Sequence, residues 1–508
     1  MSRVQNTAKN IAFGYASTLV TLLLQFISRT IFIHILGDAL LGVNGLFTNV
    51  LGVLSLAELG IGTAMNFSLY KPVAEGNREQ IKSLMQLYKV WYRRVGIIVA
   101  CIGLAILPFL RFIITGAEGI ENVHVYYLIF LFNTVSTYFV SYKFSLPNAE
   151  QKNYIVTNVT TLTTVVSVAA QIVSLLVLRD FMAYLLVGAA IALGQKVFIN
   201  AYLNKKYPEL KEKDVAPLSP EELQPIKKNI LALVWHKIGE ISVYQTGNIV
   251  VSAFINITVV GYMSNYNMLI TAVSGFINII FNSAVASLGN LMATGGKEKQ
   301  YEVFKIYRFL GFWLYGFSAI AFCVLLSPFI SLWVGSDRLV SEWVVVLLVA
   351  DYYLRGHRIC INNLKVAAGV FAQDKYVAVI QAVVNVGLSI LLVQKIGLPG
   401  VYLAALLQGL IATVIKPIIV YKNVFQLHPK HYFWDGVKYA VLVVLAGLLC
   451  WGVRLWLPLA SPWVSFIVLA AAVAVIPNAL FLLFSRNSPE LRYVKGLVLS
   501  KLKRRTTP

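Results

Sequence analysis

Fourteen predominantly apolar runs, each long enough to cross a bilayer, follow one another along the chain with short connections between them. A helix needs roughly 20 apolar residues to span about 30 Å of hydrocarbon, where every backbone polar group must be bonded internally. The runs cover 9–36, 40–70, 89–116, 123–145, 152–178, 182–203, 227–255, 258–294, 302–334, 342–368, 372–395, 399–424, 435–457 and 462–485. That pattern predicts an all-α polytopic membrane protein with about 14 transmembrane helices. The first run carries Gln25 and Arg29 and lacks a small-x-small cleavage site, so it reads as a retained helix rather than a signal peptide. Cys101, Cys323, Cys360 and Cys450 each stand alone in an apolar stretch, which suits core filling rather than a disulfide framework or zinc site.

The net charge of +21 does not mark a nucleic-acid partner, because of where the charge lies. With the N-terminus inside, 34 of the 43 Lys and Arg fall on the termini and connections of one side, and the positive-inside rule is met at every loop. This predicts a multi-pass protein with both termini cytoplasmic. The tail at 486–508, with Lys501, Lys503, Arg504 and Arg505, reads as a contact for anionic membrane lipids. The longest connection, 204–226, holds four prolines and mixed charge and reads as a cytoplasmic linker. No soluble segment is long enough for a catalytic domain, so a transporter rather than an enzyme is expected.

A shift of 219 residues superposes the start of the chain on the region after the linker without a gap. Leu41-Gly42-Val43 falls on Val260-Gly261-Tyr262, Ala74-Glu75-Gly76 on Ala293-Thr294-Gly295, and Tyr88 on Tyr307. The shift spans an even number of helices, so both copies enter the membrane from the same side as a parallel repeat. The expected organisation is an N-terminal lobe of six helices at 1–203, the linker at 204–226, and a C-terminal lobe of six at 227–424. Two extra helices follow at 425–485, and the two lobes enclose a central cavity.

Charges inside the apolar runs cost about 2.5 to 3.5 kcal/mol each at a helix centre, so they face other helices or water and mark a pathway. In the run 342–368, Asp351, Arg355, Arg358, Asn362 and Lys365 are spaced by 4, 3, 4 and 3, which puts them on one helix face. In the run 227–255, His236, Glu240, Tyr244 and Asn248 form a second face, with Lys237 able to pair with Glu240. Glu58 has no basic neighbour in its own run, and Arg29 is its candidate partner. An isolated carboxyl in hydrocarbon takes up a proton readily, which makes Glu58, His236, Glu240 and Asp351 candidates for coupling to H+ or Na+. Lys237–Glu240 and Asp351–Arg355 also read as pairs that hold helices in register. The embedded set, Arg29, Lys237, Arg355 and Arg358 against Glu58, Glu240 and Asp351, is net basic and suits a phosphate-bearing cargo, because guanidinium binds phosphate oxygens bidentately. Gly295-Gly296-Lys297 lacks the earlier glycine of a phosphate loop. No cofactor or metal is expected.

The run Phe26-Ile-Ser-Arg29 to Leu36-Gly37, the stretch Gly45-Leu-Phe to Leu56-Ala-Glu58-Leu-Gly-Ile-Gly62, His236-Lys237-Ile-Gly239, and Gly369-Val-Phe with Asp374-Lys375-Tyr376 resemble the polysaccharide (Wzx-type) flippases. These belong to the multidrug/oligosaccharidyl-lipid/polysaccharide (MOP) exporter superfamily, and the resemblance runs over essentially the whole chain. It implies a V-shaped pair of six-helix lobes with two further helices in the bacterial cytoplasmic membrane. It also implies a cargo, an undecaprenyl-diphosphate-linked oligosaccharide carried from the inner to the outer leaflet for capsule or surface polysaccharide. Arg29, Glu58, Lys237, Arg355, Arg358 and Lys365 would then line the cavity. A teichoic-acid or peptidoglycan-precursor flippase shares this architecture and charge. A drug/cation antiporter of the superfamily would want an acidic cavity instead.

Overall fold

Helix boundaries fall where particular residues cannot continue a helix. The computed structural model describes residues 3–58, 61–116, 120–150, 152–211, 215–370, 373, 375–456 and 461–496. Side chains are described over the same residues except 3–14, 56, 57, 63, 209, 211, 225, 228, 229, 231–233, 235–244, 286, 293 and 375. Helix α1 (Arg3–Leu54) is kinked at Gly37, whose φ of 82° is open to a residue without a β-carbon. A 3-10 turn at Ser55–Glu58 separates it from α2 (Ile61–Glu75). Asn77 then caps α3 (Arg78–Ile106), its side chain accepting from the Gln80 amide at 3.1 Å. Helices α4 (Val123–Ser141), α5 (Tyr154–Leu178) and α6 (Phe181–Lys206) follow, the last capped by Asp180.

Helix α7 (Pro220–Phe254) begins with a reciprocal capping box between Ser219 and Glu222. The Ser219 backbone N–H holds the exposed Glu222 carboxyl below the usual carboxylate range. The rest of the helical set is α8 (Ile257–Ser283), α9 (Val285–Thr294), α10 (Lys297–Val334), α11 (Glu342–His357), α12 (Ile359–Ala367), α13 (Lys375–Ile396), α14 (Leu398–Val420), α15 (Lys430–Trp456) and α16 (Pro462–Ser485). Eleven helical stretches among the described residues are long and apolar enough to cross a membrane. Expected runs are interrupted in several places, among them 40–70 by the turn at Ser55–Glu58, 258–294 at Ala284, between α8 and α9, and 342–368 at Arg358, between α11 and α12.

The repeat is visible in these boundaries. Helix α8 begins at Ile257 as the second part of α1 begins after Gly37, α9 ends at Thr294 as α2 ends at Glu75, and α10 begins at Lys297 as α3 begins at Arg78. Each correspondence uses the same shift of 219.

Packing divides the chain into two compact units, 1–261 and 262–508, with the boundary inside α8. In the first unit, α1 packs on α5 and α7. Phe47 meets Tyr127 edge-on at 5.3 Å, and the Tyr127 hydroxyl donates to the Gly103 carbonyl at 3.0 Å, where α3 and α4 touch. Gly42 lies against the start of α8: a β-carbon there would collide with the Ile257 carbonyl and stand 3.2 Å from the Gly261 nitrogen. The linker is docked rather than loose where it is described. Ser83 donates to the Ala216 carbonyl at 2.7 Å and Gln80 to Glu222 at 2.8 Å, both from α3.

In the second unit α10 is the central helix. Phe309, Phe312, Ile320 and Val324 on it form a core with Ala446 and Cys450 of α15 and Leu469, Val473 and Phe481 of α16. Trp313 adds a hydrogen bond to Asn478 at 2.8 Å, so the two helices after the repeat are anchored on α10. Cys360 and Cys450 are buried as core filler, whereas Cys101 is exposed on an apolar helix.

Candidate functional site

One acidic candidate of the first unit, Glu58, sits where the chain leaves helix. Glu58 ends the 3-10 turn after α1, and its carboxylate accepts from the Tyr92 hydroxyl of α3 at 2.8 Å. The sequence offers Arg29 as the partner; the structure supplies a neutral hydroxyl, so the carboxylate is oriented by a group that carries no charge. Gly62 makes room for the pair, since a β-carbon there would stand 2.6 Å from Tyr92 Oη and 2.9 Å from Glu58 Oε1. Arg29, half-buried on α1, has the Tyr184 hydroxyl of α6 as an electrostatic neighbour. The ring of Tyr184 is fixed edge-on against Phe32 at 5.2 Å. Lys237, His236 and Glu240 lie on α7, and their side chains are outside the described residues.

In the second unit the expected stripe is present, with its members in different roles. Arg355 Nε pairs with Asp351 Oδ2 at 2.6 Å, one turn apart on α11. Arg358, at 7% exposure, donates to the Gly409 carbonyl and to Thr413 Oγ1 at 3.0 Å, which ties the α11–α12 break to α14. Gly409 permits this approach: a β-carbon would stand 3.3 Å from Asp351 Oδ1. Lys365 on α12 is buried. Asn363 joins Asn282 of α8 at 3.3 Å and the Tyr307 hydroxyl at 2.9 Å.

Several polar residues of the apolar runs bond to their own helix. Thr160, Thr161 and Thr164 of α5 donate to carbonyls four residues earlier. Such back-bonding satisfies a hydroxyl in hydrocarbon without a ligand.

Four basic residues that the sequence assigns to connections lie within the helical bundles. Lys416 of α14 donates to Asn362 at 3.1 Å, extending the stripe beyond Arg358. Arg308 of α10, at 4% exposure, donates to the Tyr432 carbonyl at 2.5 Å and lies 3.8 Å over the Tyr432 ring. Lys143 and Lys196 belong to the first unit, where each is held by amide or hydroxyl oxygens. Their positions near the ends of apolar runs hide them among loop charges. The one cue in the sequence is that Lys416 stands three residues after Thr413 and directly before Pro417, where a helix still continues.

The arrangement therefore joins basic and amide side chains along α11, α12 and α14 in one unit and orients the Glu58 carboxylate in the other. Guanidinium groups bind phosphate oxygens bidentately and keep their charge when buried, and ammonium groups bind them as point charges.

The fold that positions these groups is similar to that of solved MATE transporters and a solved lipid II flippase. The lipid II flippase MurJ in an inward closed conformation is similar with a TM-score of 0.69, at 13% identity over 94% of this chain and 99% of that one. A multidrug resistance MATE family transporter in an inward-facing conformation gives a TM-score of 0.64, at 16% identity over 83% of this chain and 95% of that one. A variant of the Vibrio cholerae MATE transporter VcmN gives 0.56, at 15% identity over 84% and 99%. No protein-family model and no curated protein sequence matches the chain.

Proposed function

We propose that the protein is a flippase that carries an undecaprenyl-diphosphate-linked oligosaccharide from the inner to the outer leaflet by alternating access. The observation that carries this reading is the basic and amide stripe Arg355, Arg358, Asn362 and Lys365, joined by Lys416, in a chain otherwise built of membrane-length apolar helices. A diphosphate head group supplies the anionic oxygens that such a stripe takes, and its polyprenyl tail is soluble in the bilayer. Arg29, Lys237 and Arg355 are the proposed cargo contacts, with Arg358 and Lys365 positioning the stripe against its neighbours. Glu58, His236, Glu240 and Asp351 are the proposed sites of coupling to H+ or Na+. The lobes 1–203 and 227–424 are the proposed moving parts, in the bacterial cytoplasmic membrane with both termini inside.

The likeness to the lipid II flippase, which extends over 94% of the chain against 83% for the MATE transporter, favours a lipid-linked cargo over a soluble drug. A peptidoglycan-precursor or teichoic-acid unit shares the diphosphate chemistry and is the second reading. The test is reconstitution in vesicles with a fluorescent polyprenyl-diphosphate disaccharide, following its movement between leaflets. Movement by the natural chain, slowed about ten-fold by Arg29→Ala and by Arg355→Ala as loss of one charged contact predicts, supports the proposal. Equal rates in the variants, or saturable binding of cationic dyes in place of the lipid, would refute it.

A further inference from the structure

A cavity of about 670 Å³ opens in the first unit among the ends of α3, α4 and α6. Its size is within the range of roughly 300 to 1,000 Å³ that buries small ligands. Lys89, Arg93, Lys143 and Lys196 line it. Lys143, at 4% exposure, lies deep, and its ammonium is 2.5 Å from the side-chain oxygens of both Asn200 and Asn204. Lys196 donates to Ser136 Oγ at 2.7 Å and to the Asn133 carbonyl at 2.8 Å. Amide and hydroxyl oxygens aim an ammonium without cancelling its charge. Arg93 is exposed at the same cavity.

The other wall is of opposite character. Phe132 and Phe139 of α4 and Val197 of α6 line the cavity and are 51%, 45% and 62% exposed on helices apolar enough to cross a membrane. Their outward faces meet acyl chains when the helices are embedded. The cavity is thus cationic at one end, at the connection that carries 204–211, and apolar along its flank. None of Arg29, Glu58, Asp351, Arg355 or Arg358 lines it.

We propose that this cavity binds the phosphate head group of an anionic glycerophospholipid, with Lys143 and Lys196 on the phosphate oxygens, Lys89 and Arg93 at the entrance, and an acyl chain along Phe132, Phe139 and Val197. Basic pockets between membrane helices on the positively charged side take such head groups, because charge and apolar contact act on one molecule. The site is separate from the proposed cargo contacts and does not depend on what the cargo is.

Native mass spectrometry of the full-length protein, titrated with phosphatidylglycerol or phosphatidylcholine, tests it. Phosphatidylglycerol should bind at least ten-fold more tightly than phosphatidylcholine, and Lys89→Gln with Arg93→Gln should weaken it several-fold. Adding Lys143→Met and Lys196→Met should abolish the preference; if that variant does not fold, the entrance pair decides alone. Equal binding of the two lipids, or unchanged binding by the entrance variant, overturns the proposal. Displacement of phosphatidylglycerol by millimolar inorganic phosphate overturns it in favour of a free-anion site. Stoichiometric displacement by a polyprenyl-diphosphate sugar overturns it in favour of a cargo station.

Discussion

The two copies of the repeat share their outer helix boundaries at one shift, and they use the positions between them for different chemistry. After α2 the chain turns at Gly76 and Asn77 into α3; after α9 it turns at Gly295 and Gly296 into α10. Yet the break before α2 carries Glu58 held by Tyr92, and the position one repeat later is Ile277, inside the unbroken α8. Tyr88 and Tyr307 are equivalent, but the Tyr307 hydroxyl donates to the Phe281 carbonyl at 2.7 Å and accepts from Asn363 at 2.9 Å. The Tyr88 hydroxyl has no hydrogen-bond partner among the described residues. In the first copy Lys143 reaches Asn200; in the second, Asn362, its image under the shift, accepts from Lys416, which falls within four residues of the image of Asn200. Amine and amide have changed places across the same pair of elements. Backbone geometry is thus constrained by the membrane and by packing, while each polar contact needs only a donor and an acceptor in reach, whichever helix supplies them.

The largest effect expected from breaking this correspondence is at the glycine pair. Gly42→Leu or Gly261→Leu puts a side chain into the Ile257 or Asp38 carbonyl and should cost about 3 kcal/mol, the upper range of overpacking. Gly194→Ala, where a β-carbon meets nothing within 4 Å, should be neutral. Recovery of monodisperse protein and its thermal unfolding in detergent read both, and equal behaviour of the two classes would contradict the close approach.

Next, Tyr92→Phe should cost about 2 kcal/mol, because it leaves the Glu58 carboxylate without its donor, and Glu58→Gln should restore part of that loss in the double variant. Additive losses in a double-variant cycle would mean that the two groups do not interact. Exchanging amine and amide tests the swapped contact directly. Lys143→Asn alone should lose about 1 kcal/mol, and Lys143→Asn with Asn200→Lys should regain at least half. No recovery would mean that the similarity to Asn362 and Lys416 is coincidental. Smallest is the tyrosine pair: Tyr307→Phe should lower stability by about 1 kcal/mol and Tyr88→Phe by almost nothing. A larger loss at Tyr88 would reverse the reading.

Much of this architecture is legible in one dimension. Lipid admits few backbone solutions, so long apolar runs read directly as helices, and glycines such as Gly42 and Gly76, which fall on Gly261 and Gly295 under one shift, point to a repeat. The stripe through Asp351, Arg355 and Arg358 was legible because helical spacing alone puts those residues on one face. Lys143, Lys196, Arg308 and Lys416 were not, since a lysine or arginine near the end of an apolar run has the same local pattern whether it snorkels to water or turns inward. The partner of Glu58 was equally hidden, because Tyr92 lies 34 residues away on another helix and looks like any aromatic residue near a membrane boundary.

Periodicity, length and charge count are local properties, and they suffice for helix content and for a multi-pass helical fold, because the bilayer penalises every alternative backbone. Which charge meets which partner is a different kind of fact. Arg358 is tied to the Gly409 carbonyl, and Lys143 is aimed into a cavity by two asparagines, because of what the neighbouring helices bring opposite them. Those distances exist only once the helices have packed.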